Sequence, residues 1–156
     1  MIPLDEIKRK LFEYCKAFIQ EIIENRECDI RLLYDARKNV DLMMAFYRSG
    51  VSDRYDVLEA TWNVASKHEP DDIRNDSERE SNIVLIWEFL PLDRILSELD
   101  LLPEEFDAPT GYASNNHVYF KLSFNIPERV ICLSLHLPEY RNMAPGRRED
   151  EMPKMW

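Results

Sequence analysis

VYFKLSF at 118–124, followed after the turn-like NIPER at 125–129 by ICLSLHL at 131–137, is a two-residue rhythm that no helix produces. Val118, Phe120, Leu122 and Phe124 alternate with Tyr119, Lys121 and Ser123; Ile131, Leu133, Leu135 and Leu137 alternate with Cys132, Ser134 and His136. Apolar residues at every second position line one face of a strand, so the sequence predicts a β-hairpin. Two strands alone are marginal in water, and this pair needs further strands or a helix to cover its apolar face.

Residues 28–66 are the one region able to supply several more strands, and they support two readings. As helices, Ile30, Leu33, Val40, Met43 and Tyr47 keep a heptad-like rhythm, as do Tyr55, Leu58, Trp62 and Ala65. As strands, Ile30, Leu32 and Tyr34 alternate, residues 35–39 form a polar turn, and Val40, Leu42, Met44 and Phe46 alternate again. Leu58, Ala60, Trp62 and Val64 then alternate with Glu59, Thr61 and Asn63. Periodicity does not decide between them. The unsupported hairpin favours a three-stranded meander.

On either side lie helical signals. Leu4, Ile7, Leu11, Tyr14, Phe18 and Ile22 recur at steps of three and four behind Pro3, which predicts an amphipathic helix to Asn25, its apolar face widened by Cys15, Ile19 and Ile23. Residues 68–76 read as a polar loop. Ser77 with Glu80 has capping-box spacing, which predicts a helix over 78–90. Pro91 then opens or kinks a second helix through Leu92, Ile95, Leu96 and Leu99. Ile83–Leu90 also reads as a buried strand, because short apolar runs are ambiguous. The expected fold is a single α+β domain over 1–140, in which the long N-terminal helix and a central helical segment pack on a mostly antiparallel sheet. An all-α bundle with a C-terminal β-hairpin is the alternative. Residues 141–156, with Pro145, Gly146 and Pro153, read as a flexible tail.

Composition narrows the function classes. The chain has 156 residues, 45% hydrophobic content and a net charge of −10. It is long enough to bury a core and too apolar for intrinsic disorder. The whole surplus of charge lies between His68 and Asp107, where 13 acidic residues face only Arg74, Arg79 and Arg94. Strong acidity opposes direct binding to nucleic acid or anionic membrane. The charged start, MIPLDEIKRK, lacks the apolar core of a signal peptide, and no long uncharged apolar run follows, so a cytoplasmic protein with buried thiols at Cys15, Cys28 and Cys132 is expected.

Catalytic motifs are missing. Gly50, Gly111 and Gly146 are isolated, whereas phosphate-cradling loops need clustered glycines. His68, His117 and His136 show no metal-ligand spacing, and His117 and His136 are expected to be solvated on polar strand faces. Arg129 and His136 loosely match the Arg…His spacing of HEPN ribonucleases, without their helical context. The acids at 71–80 lack the glycine and terminal glutamate of a calcium loop. Trp62 and Trp87 read as core, and Trp156 as an exposed terminal side chain able to dock on a partner or on the protein itself. No cofactor, metal site or enzymatic activity is expected, and oligomeric state is open.

An acidic patch bears on partners and association rates. It serves solubility, or it docks a basic protein by imitating phosphates; a chaperone for a basic client is a third reading. The order of a long helix (Leu4 to Asn25), early hairpin (Ile30 to Phe46), third strand (Val57 to Ala65), acidic helical stretch (Ser77 to Asp107) and late hairpin (Val118 to Leu137) resembles YezG-type antitoxin and immunity proteins. The resemblance implies a small acidic cytosolic inhibitor of a toxin nuclease. The expectation is therefore a non-enzymatic protein that neutralises a basic partner, a nuclease or other nucleic-acid enzyme, through Asp71, Asp72, Asp76, Glu78 and Glu80, with Glu104, Glu105 and Asp107 second. A secretion-type chaperone and a small ribonuclease are the alternatives.

Overall fold

The computed structural model describes residues 4–30, 37–79, 81–112, 116–125 and 129–138. The expected tail at 141–156 with Trp156, the hairpin turn at 126–128, Leu32, Tyr34 and Glu80 lie outside them. The described chain is α+β. In order it forms α1 (Leu4–Glu24), β1 (Asp29–Ile30), α2 (Arg37–Arg48), α3 (Arg54–Ala65), β2 (Asp72–Asn75), β3 (Ile83–Pro91), α4 (Leu92–Glu98), a 3-10 turn (Pro103–Glu105), β4 (His117–Asn125) and β5 (Arg129–His136). The sheet order is β1-β5-β4-β3-β2, antiparallel except for the β1–β5 pair.

The β4–β5 hairpin is present, with one change of phase. Lys121 pairs with Ser134 but Leu122 pairs with Cys132, so Leu133 is an extra residue in β5. The bulge turns Val130 and Cys132 toward the helices together with Leu135 and Leu137, while Ile131 joins Ser123 on the opposite face. Among the described residues β1 pairs with β5 at residues 131 and 132. Beyond it the Asn39 carboxamide takes over: Nδ2 donates to Leu133 O at 2.9 Å and Oδ1 accepts from Leu135 N–H at 3.0 Å.

The meander expected from residues 28–66 is not formed; apart from β1, its described part is helical. Val57, Leu58, Ala60, Thr61, Trp62, Val64 and Ala65 are all buried. That is most of the circumference of α3, which touches α1, α2, α4 and β3. A helix buried all round has no polar face to mark its period, and alternate members of its apolar set imitate a strand. The α2–α3 junction is locally encoded: Gly50, at φ +99°, closes α2 as Val51 N–H reaches Phe46 O, and Asp53 Oδ1 caps the start of α3 by accepting from Tyr55 N–H at 2.9 Å.

The helix expected over 78–90 is replaced by β3, the alternative reading of Ile83–Leu90. Leu85 and Trp87 face the helices, whereas Val84 and Ile86 are buried on the other side of the sheet. A strand covered on both faces reads as an unbroken apolar run. Its partner β2 occupies part of the expected loop and carries a single buried apolar residue, Ile73. The second expected helix is α4. All four helices lie on one side of the sheet. Phe12, Trp62, Trp87 and Phe120 join α1, α3, β3 and β4 through ring contacts of 5.4–6.5 Å. Trp62 and Trp87 are thus core, as expected, with indole N–H groups donating to Gln20 Oε1 and His68 O.

Candidate functional site

Asp76 ends β2 where the chain turns toward β3, and its carboxylate organises that turn. It accepts from the N–H groups of Glu78 (2.9 Å) and Arg79 (3.2 Å), from Ser123 Oγ (2.6 Å) and from the Arg79 guanidinium (3.3 Å). Asn82 completes the set by donating to Ser123 Oγ at 3.0 Å. Ser77 and Glu78 therefore lie in an Asp-capped turn rather than a helix start. Only 5% of the Asp76 side chain is exposed. Burial alone would raise its pKa, but the hydrogen bonds from Ser123, Glu78 and Arg79 outweigh it and hold the carboxyl below its ordinary 3.8.

Glu78, by contrast, is 74% exposed. It stands with Asp76 at a cleft of about 240 Å³ whose other walls include Lys38, Arg79, Lys121 and His136. Burial, reinforced by Arg74, pushes the Lys121 ammonium below its usual range. His136 is buried, contrary to the solvated position expected for it. Alternation assigns its face of the sheet correctly, but that face is itself covered. Its ring stacks on Tyr119 at 5.1 Å, and Nδ1 lies 2.9 Å from Leu137 O, so this nitrogen carries the proton. Lys121, Ser123 and Asn82 were not anticipated; nothing in their sequence surroundings distinguishes them from ordinary strand and turn residues.

The remaining expected acids are dispersed. Asp72 opens β2 and Asp71 precedes it, about 13 and 16 Å from Asp76 at 3.3 Å per residue. Asp71 Oδ2 accepts from Glu88 N–H at 2.6 Å, and Asp72 faces Lys8 at 3.5 Å, beside the Arg9–Glu69 pair at 2.6 Å. Glu105 Oε1 caps its own turn by accepting from Leu102 N–H at 2.9 Å. Asp107 binds Arg48 Nε at 3.0 Å. Arg48 and Lys38 sit at opposite ends of α2, about 15 Å apart along its axis, so the 104–107 group and the Asp76 cleft belong to different regions. Glu104 is exposed.

Arg129 and His136 do not converge: they are about 20 Å apart along β5, and Arg129 pairs with Asp29 at 3.5 Å. Among the described residues no three His, Cys, Asp or Glu side chains gather as metal ligands, and no helix is long and apolar enough to cross a membrane. Cys15, Cys28 and Cys132 are buried free thiols, and burial pushes Cys28 up to about 12.

Comparison with protein-family models, with curated proteins and with solved structures found no match.

Proposed function

We propose that the protein is a non-enzymatic binding protein that neutralises a strongly basic partner, such as a toxin nuclease or another nucleic-acid enzyme. The observation that carries this reading is the confinement of the charge surplus to residues 68–107. In the folded chain this stretch supplies β2, β3, α4 and the 3-10 turn, leaving Glu78, Glu88, Asp93 and Glu104 exposed. Carboxylates on such a surface steer a cationic protein over distances comparable to the screening length, about 10 Å at 0.1 M salt, and stand where phosphates would stand in its groove. Of the elements quoted for the antitoxin resemblance, the first helix and the last hairpin are present, whereas the described parts of 30–46 and 57–65 are chiefly helical. The reading therefore rests on charge rather than on that layout.

The internal contacts determine which substitutions test it. Reversing Asp76 would dismantle the turn, and Glu69 and Asp72 are paired with Arg9 and Lys8, so the exposed Glu78, Glu88 and Glu104 are the residues to change. The partner captured from the native cell should be basic. It should associate with the Glu78→Lys/Glu88→Lys/Glu104→Lys protein at least tenfold more slowly at low salt, with a flatter salt dependence. An acidic partner, or unchanged rates in a folded variant, would remove the reading.

A further inference from the structure

A cleft of about 510 Å³ opens between α4 and the 3-10 turn with the segment that follows it. Its lining is mixed: Leu92 and Leu96 from α4 with Pro103, Phe106 and Ala108 opposite make an apolar floor, while Asp93, Asn116 and His117 supply polar groups at its walls. Phe89 lies edge-on to His117 at 5.8 Å and is 44% exposed, which extends the apolar surface outward. Such a volume falls within the roughly 300–1,000 Å³ of sites that hold small ligands or anchoring side chains. Charge surrounds it unevenly. Between Pro91 and His117 the sequence holds six acidic residues and one basic, Arg94. Asp93 is itself part of the lining and exposed Glu104 immediately follows the lining residue Pro103, while Asp107, which precedes Ala108, is already paired with Arg48. A slot with an apolar floor, polar groups on its walls and carboxylates at its rim matches one chemistry in particular: a large apolar side chain that also carries a polar group, flanked in its own chain by Lys or Arg.

We propose that this cleft receives an anchoring Trp from a basic segment of the partner protein, with the rim carboxylates meeting the cations on either side. The proposal rests on the reading that the partner is basic. It adds that recognition has an apolar centre, which charge alone lacks. A buried anchor within a charged rim is the arrangement in which few residues dominate binding energy.

Three synthetic peptides separate the two statements: KRKGWGKRK, the same peptide with Ser in place of Trp, and a neutral version with Gln in place of every Lys and Arg. Binding is read by fluorescence anisotropy on the intact protein and on Ala108→Phe, which fills the cleft from a half-buried position while leaving the core side chains in place. The expected result is at least tenfold tighter binding of the basic Trp peptide than of either other peptide, with that advantage lost in an Ala108→Phe protein of unchanged circular dichroism. A Leu96→Met variant, which keeps an apolar floor, should retain the advantage. Equal binding of the Trp and Ser peptides would overturn the anchor and leave the basic-partner reading standing. Equal binding of the basic and neutral Trp peptides would overturn the charge match. Binding of none of them would overturn both statements.

Discussion

Asp76 shows how one residue can be visible in a sequence while its role is not. Its place in a run of acids marks it as a surface carboxylate, yet its hydrogen bonds tie β2, the following turn and β4 together. Because its pKa is lower folded than unfolded, it contributes stability fully above the ordinary aspartate range, and that contribution disappears as the pH falls through the lowered value. Asp76→Asn should therefore destabilise the protein by about 2 kcal/mol at pH 7, the order expected for charge-assisted hydrogen bonds. The gap from the parent should narrow as the pH drops below about 4. Urea unfolding at a series of pH values measures both. A gap independent of pH would show that charge plays no part. Of the candidate site, charge localisation was legible from residue types alone. The sorting of acids into internal partners and exposed ones was not, because Ser123 and Arg48 lie 47 and 59 residues away from Asp76 and Asp107.

Elements whose polar and apolar residues separate cleanly were readable: α1, α4 and the β4–β5 hairpin. Those buried on several sides were not. α3 hides its period because neighbours cover most of its surface, and β3 hides its own because both faces are covered. β2 failed for the opposite reason, since a four-residue edge strand with one buried apolar side chain carries almost no pattern. The bulge at Leu133 is equally silent, for it changes the face of Ile131 without altering the alternation of residue types. Helix ends offer a quantitative test. Asp100 closes α4 in the left-handed region at φ +57°, where Leu101 N–H bonds to Leu96 O at 2.9 Å. Glycine relieves the Cβ clash there, partly offset by its greater freedom in the unfolded chain. Asp100→Gly should stabilise the protein by about 0.5 kcal/mol in chemical denaturation, and a loss of stability would mean that the Asp100 side chain has a role of its own.

At the scale of the whole molecule, charge and packing pull in different directions. Helices on one side and a sheet covered on both sides give an interior rich in aromatic contacts, while ten uncompensated charges repel one another across the surface. Screening weakens that repulsion, and the exposed ion pairs it also weakens contribute little. Raising salt from about 0.01 M to about 0.15 M, which shortens the screening length from about 30 Å to about 8 Å, should therefore raise the melting temperature by a few degrees. A fall would mean that pairs such as Arg26 with Asp53 and Asp56 outweigh the net charge. The carboxamide of Asn39 has a further consequence. Among the described residues β1 pairs with two positions of β5, and a strand margin without a neighbour is a template on which a foreign chain can build. By occupying Leu133 O and Leu135 N–H, a single side chain from α2 takes two of the backbone groups through which such a chain would pair.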